Sequence, residues 1–161
     1  MSYPIKKVPL GALFLGITLL VSHPLCYRGG MKNSNLTELV FVLDRSGSMR
    51  GMQEPAVDSY NRFLNDQKSV EGKANLTLML FDTEFERPVD CRPIHEVPEM
   101  GADEFRPRGM TALLDAIGLS IKETRRRIKE MPEDQRPGKV IFAIFTDGHE
   151  NASTRYNWER I

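Results

Sequence analysis

Two apolar, strand-length runs constrain this chain more than any other feature: residues 36–43 and residues 139–146, each followed by an aspartate, Asp44 and Asp147. Largely apolar runs of this length suit strands buried on both faces, which is the habit of the central strands of a parallel sheet. Between them the hydrophobic period changes. Ala56, Val57, Tyr60, Phe63 and Leu64 fall on one helical stripe, and Leu114, Ile117, Ile121, Thr124, Ile128 and Met131 form a second over residues 111–131. Residues 76–81 predict another buried strand. Residues 84–97 predict a strand and an edge segment, since Pro88, Pro93 and Pro98 cannot donate to a central ladder. Pro132 and the Pro137-Gly138 pair stop the second helix, and Ser153 is expected to open a last one as its N-cap. Alternating periods of this kind predict an α/β fold built on a parallel sheet.

The 161 residues fit one domain. Basic and acidic side chains balance at 22 each, so the chain lacks the strongly basic footprint of a nucleic-acid binder. Two cysteines, Cys26 and Cys91, exclude a disulfide framework and a four-thiolate zinc site.

The first thirty residues form an apolar leader. Lys6 and Lys7 precede a run over residues 8–21, as in a secretory signal, but fourteen residues fall short of the about 20 that a membrane span needs. Two readings stand: a genuine signal or anchor, or a start assigned too early. The second rests on Arg28-Gly29-Gly30-Met31, whose codons can spell a purine-rich bacterial ribosome-binding site before Met31. A chain starting at Met31 would be cytoplasmic; a genuine leader would export or anchor it. The domain proper is expected to occupy residues 31–161.

The chemistry is concentrated at the ends of the two apolar runs. Asp44-Arg45-Ser46-Gly47-Ser48 follows the first, Phe145-Thr146-Asp147-Gly148 closes the second, and Thr111 sits where a loop enters a helix. In parallel sheets, ligands bind beyond the carboxyl ends of the strands. Two carboxylates and three hydroxyls at that end make a hard oxygen donor set, suited to Mg²⁺, or to Mn²⁺ or Ca²⁺, rather than zinc. The plainer alternative has Asp44 and Ser48 capping the following helix and Asp147-Gly148 making a turn.

Asp44-x-Ser46-x-Ser48, Thr111 and Asp147 resemble the metal-ion-dependent adhesion site of von Willebrand factor type A domains, and the likeness runs from about Asn35 to the end of the chain. The resemblance implies that Ser46 and Ser48 bind a divalent cation directly, and Thr111, Asp44 and Asp147 directly or through water. It also implies an open coordination position, filled by an Asp or Glu of a partner protein. Arg45, Met49, Arg50, Met110 and His149 would rim that position. The resemblance also implies the family's fold, a Rossmann-like, doubly wound, mostly parallel sheet with one antiparallel edge strand, whose strand order, 3-2-1-4-5-6, would leave this chain without its last two strands and closing helix. The run 139–146 is then expected to be an exposed hydrophobic edge, and the chain a C-terminally truncated product.

No rival motif competes. An EF-hand beginning at Asp44 would need Gly at Met49 and Glu at Pro55; an aspartyl-phosphate enzyme would need an acid at Ser46; no Gly-x-Ser-x-Gly elbow and no Gly-rich phosphate loop with Lys occurs. The chain therefore reads as a non-enzymatic binding module. The alternatives are a regulatory or assembly subunit beside a chaperone-like ATPase or stress-resistance system, and, further off, a metal-dependent hydrolase.

Other features have plain readings. Lys122, Arg125, Arg126, Arg127 and Lys129, diluted by Glu123 and Glu130, are expected to spread over a solvated helix face. Cys91 reads as an inert thiol, and Asp115 as a side chain that fixes the Thr111 loop by hydrogen bonding. The glycosylation-like triplets at Asn35, Asn75 and Asn151 read as chance, and Tyr156 with Trp158 as packing for the last helix.

Overall fold

A computed structural model describes residues 17–23, 33–147, 150–157 and 159, the first stretch by its backbone. The chain forms β1 (Ile17–His23), β2 (Asn33–Asp44), α1 (Gln53–Lys68), β3 (Lys73–Phe81), β4 (Phe85–Pro93), α2 (Leu113–Glu130) and β5 (Pro137–Thr146). The strands make one mixed sheet in the order β1-β5-β2-β3-β4, and the fold is α/β. β2 lies at its centre, parallel to both neighbours, with Asp44 opposite Phe81 of β3 and Leu43 opposite Phe145 of β5.

Strand alternation sorts the core into two layers. Leu39, Phe41 and Leu43 face α1, meeting Ala56, Tyr60, Phe63 and Leu64, and the segment after β4 closes that layer with Ile94, Val97, Met100 and Phe105. Phe41 stands edge-on to Tyr60, ring centroids 5.4 Å apart, and tilted against Phe63 at 4.9 Å. Val40 and Val42 face the other way, onto Ala116, Ile117 and Ile128 of α2. Burying each such side chain stabilises the fold by about 1.5–3 kcal/mol, so both layers hold β2 and its carboxyl end in place.

The structure corrects five expectations. Both edge strands are antiparallel, not one: β4 runs antiparallel to β3, and β1 runs antiparallel to β5, Ile17 opposite Thr146 and His23 opposite Val140. Leader residues thereby cover the edge of β5 that was expected to be open. Ser153 opens no helix; residues 150–157 carry no helix and return over the start of α2, for reasons given below. Tyr156 packs against α2 instead, where a Cβ placed on Gly118 would stand 2.5 Å from the Tyr156 ring; Trp158 lies outside the described residues. Arg127 turns inward to the buried Glu38 of β2, because a carboxylate 2% exposed on the sheet face demands a cation. Among the described residues no helix is long and apolar enough to cross a membrane.

Candidate functional site

The site begins with the end of β2. Asp44 is fully buried, and its carboxylate is satisfied from two directions. Oδ1 accepts the backbone N–H of Ser46 at 2.7 Å, which turns the chain sharply out of the strand. Oδ2 accepts the hydroxyl of Thr146, from the end of β5, at 2.5 Å. Neither Asp44 nor Ser48 caps α1: a short 3₁₀ turn, Gly47–Gly51, intervenes, and the residue preceding the helix is Met52, which makes no side-chain cap bond. The capping alternative is therefore set aside.

From Ser46 the contacts run outward. Ser46 Oγ and Ser48 Oγ are 3.0 Å apart, and Ser48 Oγ donates to Asp147 Oδ1 at 3.0 Å. Ser46 is buried, Ser48 is exposed and Asp147 lies between, so the chain of oxygens climbs from the sheet to the surface. Four of the five expected residues thus form one connected group at the carboxyl ends of β2 and β5. Burial pushes the Asp44 carboxyl above its ordinary range, and the charge of Asp147 adds to that; the bonds from Thr146 and Ser46 oppose it.

Thr111 reaches the same end of the sheet by another route. Gly47 N–H donates to Gly109 O at 3.0 Å and Arg108 N–H to Arg45 O at 2.8 Å, so the loop before α2 lies along the loop after β2. Gly109 has φ +68°, a left-handed conformation that glycine adopts without cost, and a Cβ there would come within 3.1 Å of Thr83 Oγ1. Thr111 itself is buried, its N–H donating to Asn151 Oδ1 at 2.9 Å and its carbonyl accepting from the N–H groups of Asn151 and Ala152.

The rim differs from expectation at two places. Met49 is fully buried in the α1 layer, because the 3₁₀ turn rolls it inward. Arg45 is 5% exposed and points away from the oxygens, donating through Nε to Asp82 Oδ2 at 3.0 Å and through NH1 to Glu86 Oε2 at 2.7 Å. Arg50 and Met110 are exposed, Met110 at 52%. His149 lies outside the described residues.

Asp82 is the neighbour of this group that the sequence does not single out. It is 1% exposed at the end of β3 and also binds Arg108 Nε at 3.0 Å, so one carboxylate holds both loops through their arginines. Burial alone would raise its pKa; the Glu84 N–H and the two guanidiniums outweigh that and hold it low. Its position was the available signal, since it ends an apolar strand just as Asp44 and Asp147 do.

Chemically the group offers two carboxylates and neighbouring hydroxyls, all hard donors, while Arg45 and Arg108 are committed to Asp82, Glu84 and Glu86. That donor set fits a hard divalent cation and would leave it nearly neutralised by Asp44 and Asp147. Among the described residues, no group of three or more His, Cys, Asp and Glu side chains is placed to hold a metal. Any cation here would depend on hydroxyl ligands.

No family model matches the chain, and no curated protein matches it. Among solved structures it is similar to three N-terminal domains of the type V pili tip protein Mfa5 from Porphyromonas gingivalis. The identity is 15% and the TM-score 0.43, over 72% of this chain and 25% of that one. The chain thus spans about a quarter of the length of that structure.

Proposed function

We propose that this chain is a divalent-cation-dependent protein-binding module of the von Willebrand factor type A kind, non-enzymatic, in which an Asp or Glu of a partner protein completes the coordination of a Mg²⁺-class ion. One observation carries the reading: Asp44 and Asp147, from the ends of two neighbouring parallel strands, are linked through Ser46, whose backbone N–H bonds Asp44, and through the hydroxyls of Ser46 and Ser48, the latter bonding Asp147. A buried carboxylate needs compensation, and the local guanidiniums are spent on Asp82 and its neighbours. The order β4-β3-β2-β5 supports the reading too, since it follows the first four strands of that family's sheet.

Asp44, Ser46, Ser48, Thr111 and Asp147 would hold the ion, which when bound supplies an electrophilic centre for an incoming carboxylate. Ser48, Arg50 and Met110 are exposed, and the flexible Met110 side chain gives adaptable apolar contact beside the ion. Capture of a partner from the source cell by the full chain is expected to require Mg²⁺, to be lost in EDTA, and to be lost in Asp147→Ala. Capture that survives both treatments would refute a metal-bridged contact.

A further inference from the structure

The segment after β5 grips the start of α2 through side chains the sequence gives no reason to connect. Glu150 Oε2 accepts the N–H of Leu114 at 2.8 Å and the hydroxyl of Ser153 at 2.7 Å, while Oε1 accepts the N–H groups of Ala152 and Ser153. The Ser153 hydroxyl oxygen accepts the N–H of Asp115 at 2.9 Å. Asp115, 4% exposed, answers by accepting the N–H groups of Thr154, Arg155 and Tyr156 at 2.8–3.0 Å. The bonds from Leu114 and Asp115 satisfy two of the orphan donors in the first turn of α2, where Ala112 provides no side-chain cap. Beyond the helix, the same segment holds Thr111 by both its N–H and its carbonyl, through Asn151 and Ala152.

We infer that residues 150–156 are a latch whose Asn151 is a positioning residue for the cation site: it fixes the Thr111 backbone relative to Asp147, which lies on the same stretch of chain. The inference rests on the cation-site reading above. A ligand placed on a loop is held only as well as its supporting bonds hold it, and removing such support lowers metal affinity about 10–100-fold. Asn151 is exposed and belongs to no core layer, so its loss acts on Thr111 rather than on the fold. The glycosylation-like triplet at this position has a simple account: the Asn151 side-chain oxygen is engaged by the Thr111 N–H.

The test is Mn²⁺ affinity, read from the paramagnetic resonance of free Mn²⁺, alongside the urea midpoint of the full chain without metal. Asn151→Ala is expected to bind Mn²⁺ at least about tenfold more weakly with its midpoint little changed. Asn151→Asp keeps the acceptor oxygen and is expected to bind at least as well as the wild type. Ser153→Ala loosens the latch without touching Thr111, so it should lower the midpoint and spare the affinity. Equal affinity in Asn151→Ala, with Ser48→Ala clearly weakened, overturns the positioning role and leaves the cation site standing. The same loss in Ser153→Ala as in Asn151→Ala also overturns it, by showing a general loosening. No Mn²⁺ bound by the wild type, or none lost in Ser48→Ala, refutes the site itself and the latch's role with it.

Discussion

Arg127→Ala is expected to destabilise the fold by about 3 kcal/mol, the low end of the cost of breaking a buried ion pair, because 26% of the Arg127 side chain meets solvent. Glu38 sits 2% exposed on the α2 face of β2, a position an apolar residue would ordinarily take. Arg127 donates to its Oε1 and reaches Asp90 Oδ1 at 3.1 Å, while the Cys91 thiol lies 3.6 Å from Glu38 Oε2. Burial pushes the Glu38 carboxyl above its ordinary range, and Arg127 is the first of the groups that pull it back. Cys91 contributes only as a neutral donor, since burial and the charge of Glu38 raise its thiol to about 11. Without Arg127 the carboxyl is left as an uncompensated buried charge and takes up a proton.

The sign of the pH dependence follows. A carboxyl whose folded value lies above its unfolded value makes folding take up a proton, so stability falls as pH rises between the two. Loss of Arg127 raises the folded value further, and the deficit of Arg127→Ala should therefore be larger at pH 8 than at pH 5. Urea unfolding at the two pH values checks this. A deficit unchanged with pH would place the cost in lost packing of the Arg127 stem instead. Replacing both partners, Glu38→Leu with Arg127→Leu, should recover most of the loss.

The second large effect concerns the sheet edge. A chain beginning at Met31 lacks β1, and with it the ladder that covers β5 from Thr146 to Val140. β5 is buried on both faces, Ile141, Ala143 and Phe145 to the α1 side and Val140, Phe142 and Ile144 to the α2 side. Stripping its partner leaves a long apolar strand with unpaired N–H and C=O groups, a template for pairing with another chain. The shortened chain should self-associate at micromolar concentration, where the full chain elutes as a smaller species in size-exclusion chromatography with light scattering. A shortened chain that stays monomeric with an unchanged unfolding midpoint would contradict a stabilising role for β1.

The sheet and helices that position the site were legible because burial writes a period into the sequence. β2, β5 and both helices announce themselves by apolar spacing, and Asp44 and Asp147 stand where that spacing stops. Polar contacts carry no such period. Arg127 looks like its neighbours Arg125 and Arg126 on a charged stretch, and nothing local shows that Glu38, 89 positions away, will claim it. Asp82 binding Arg45 and Arg108 is hidden for the same reason. Ser153 reads as an N-cap because a serine before a short segment looks like one, whereas its hydroxyl bonds the first turn of α2, 38 positions back. Met49 shows the limit of motif spacing: the loop was legible and its 3₁₀ roll was not.

The central claim is that the oxygens of Asp44, Ser46, Ser48, Thr111 and Asp147 hold a divalent cation. Isothermal titration of Mg²⁺ into the full chain tests it most directly. One ion per chain should bind to the wild type, with binding lost in Asp44→Ala while that variant still unfolds cooperatively. No heat of binding in the wild type, or equal binding in a folded Asp44→Ala, would contradict it.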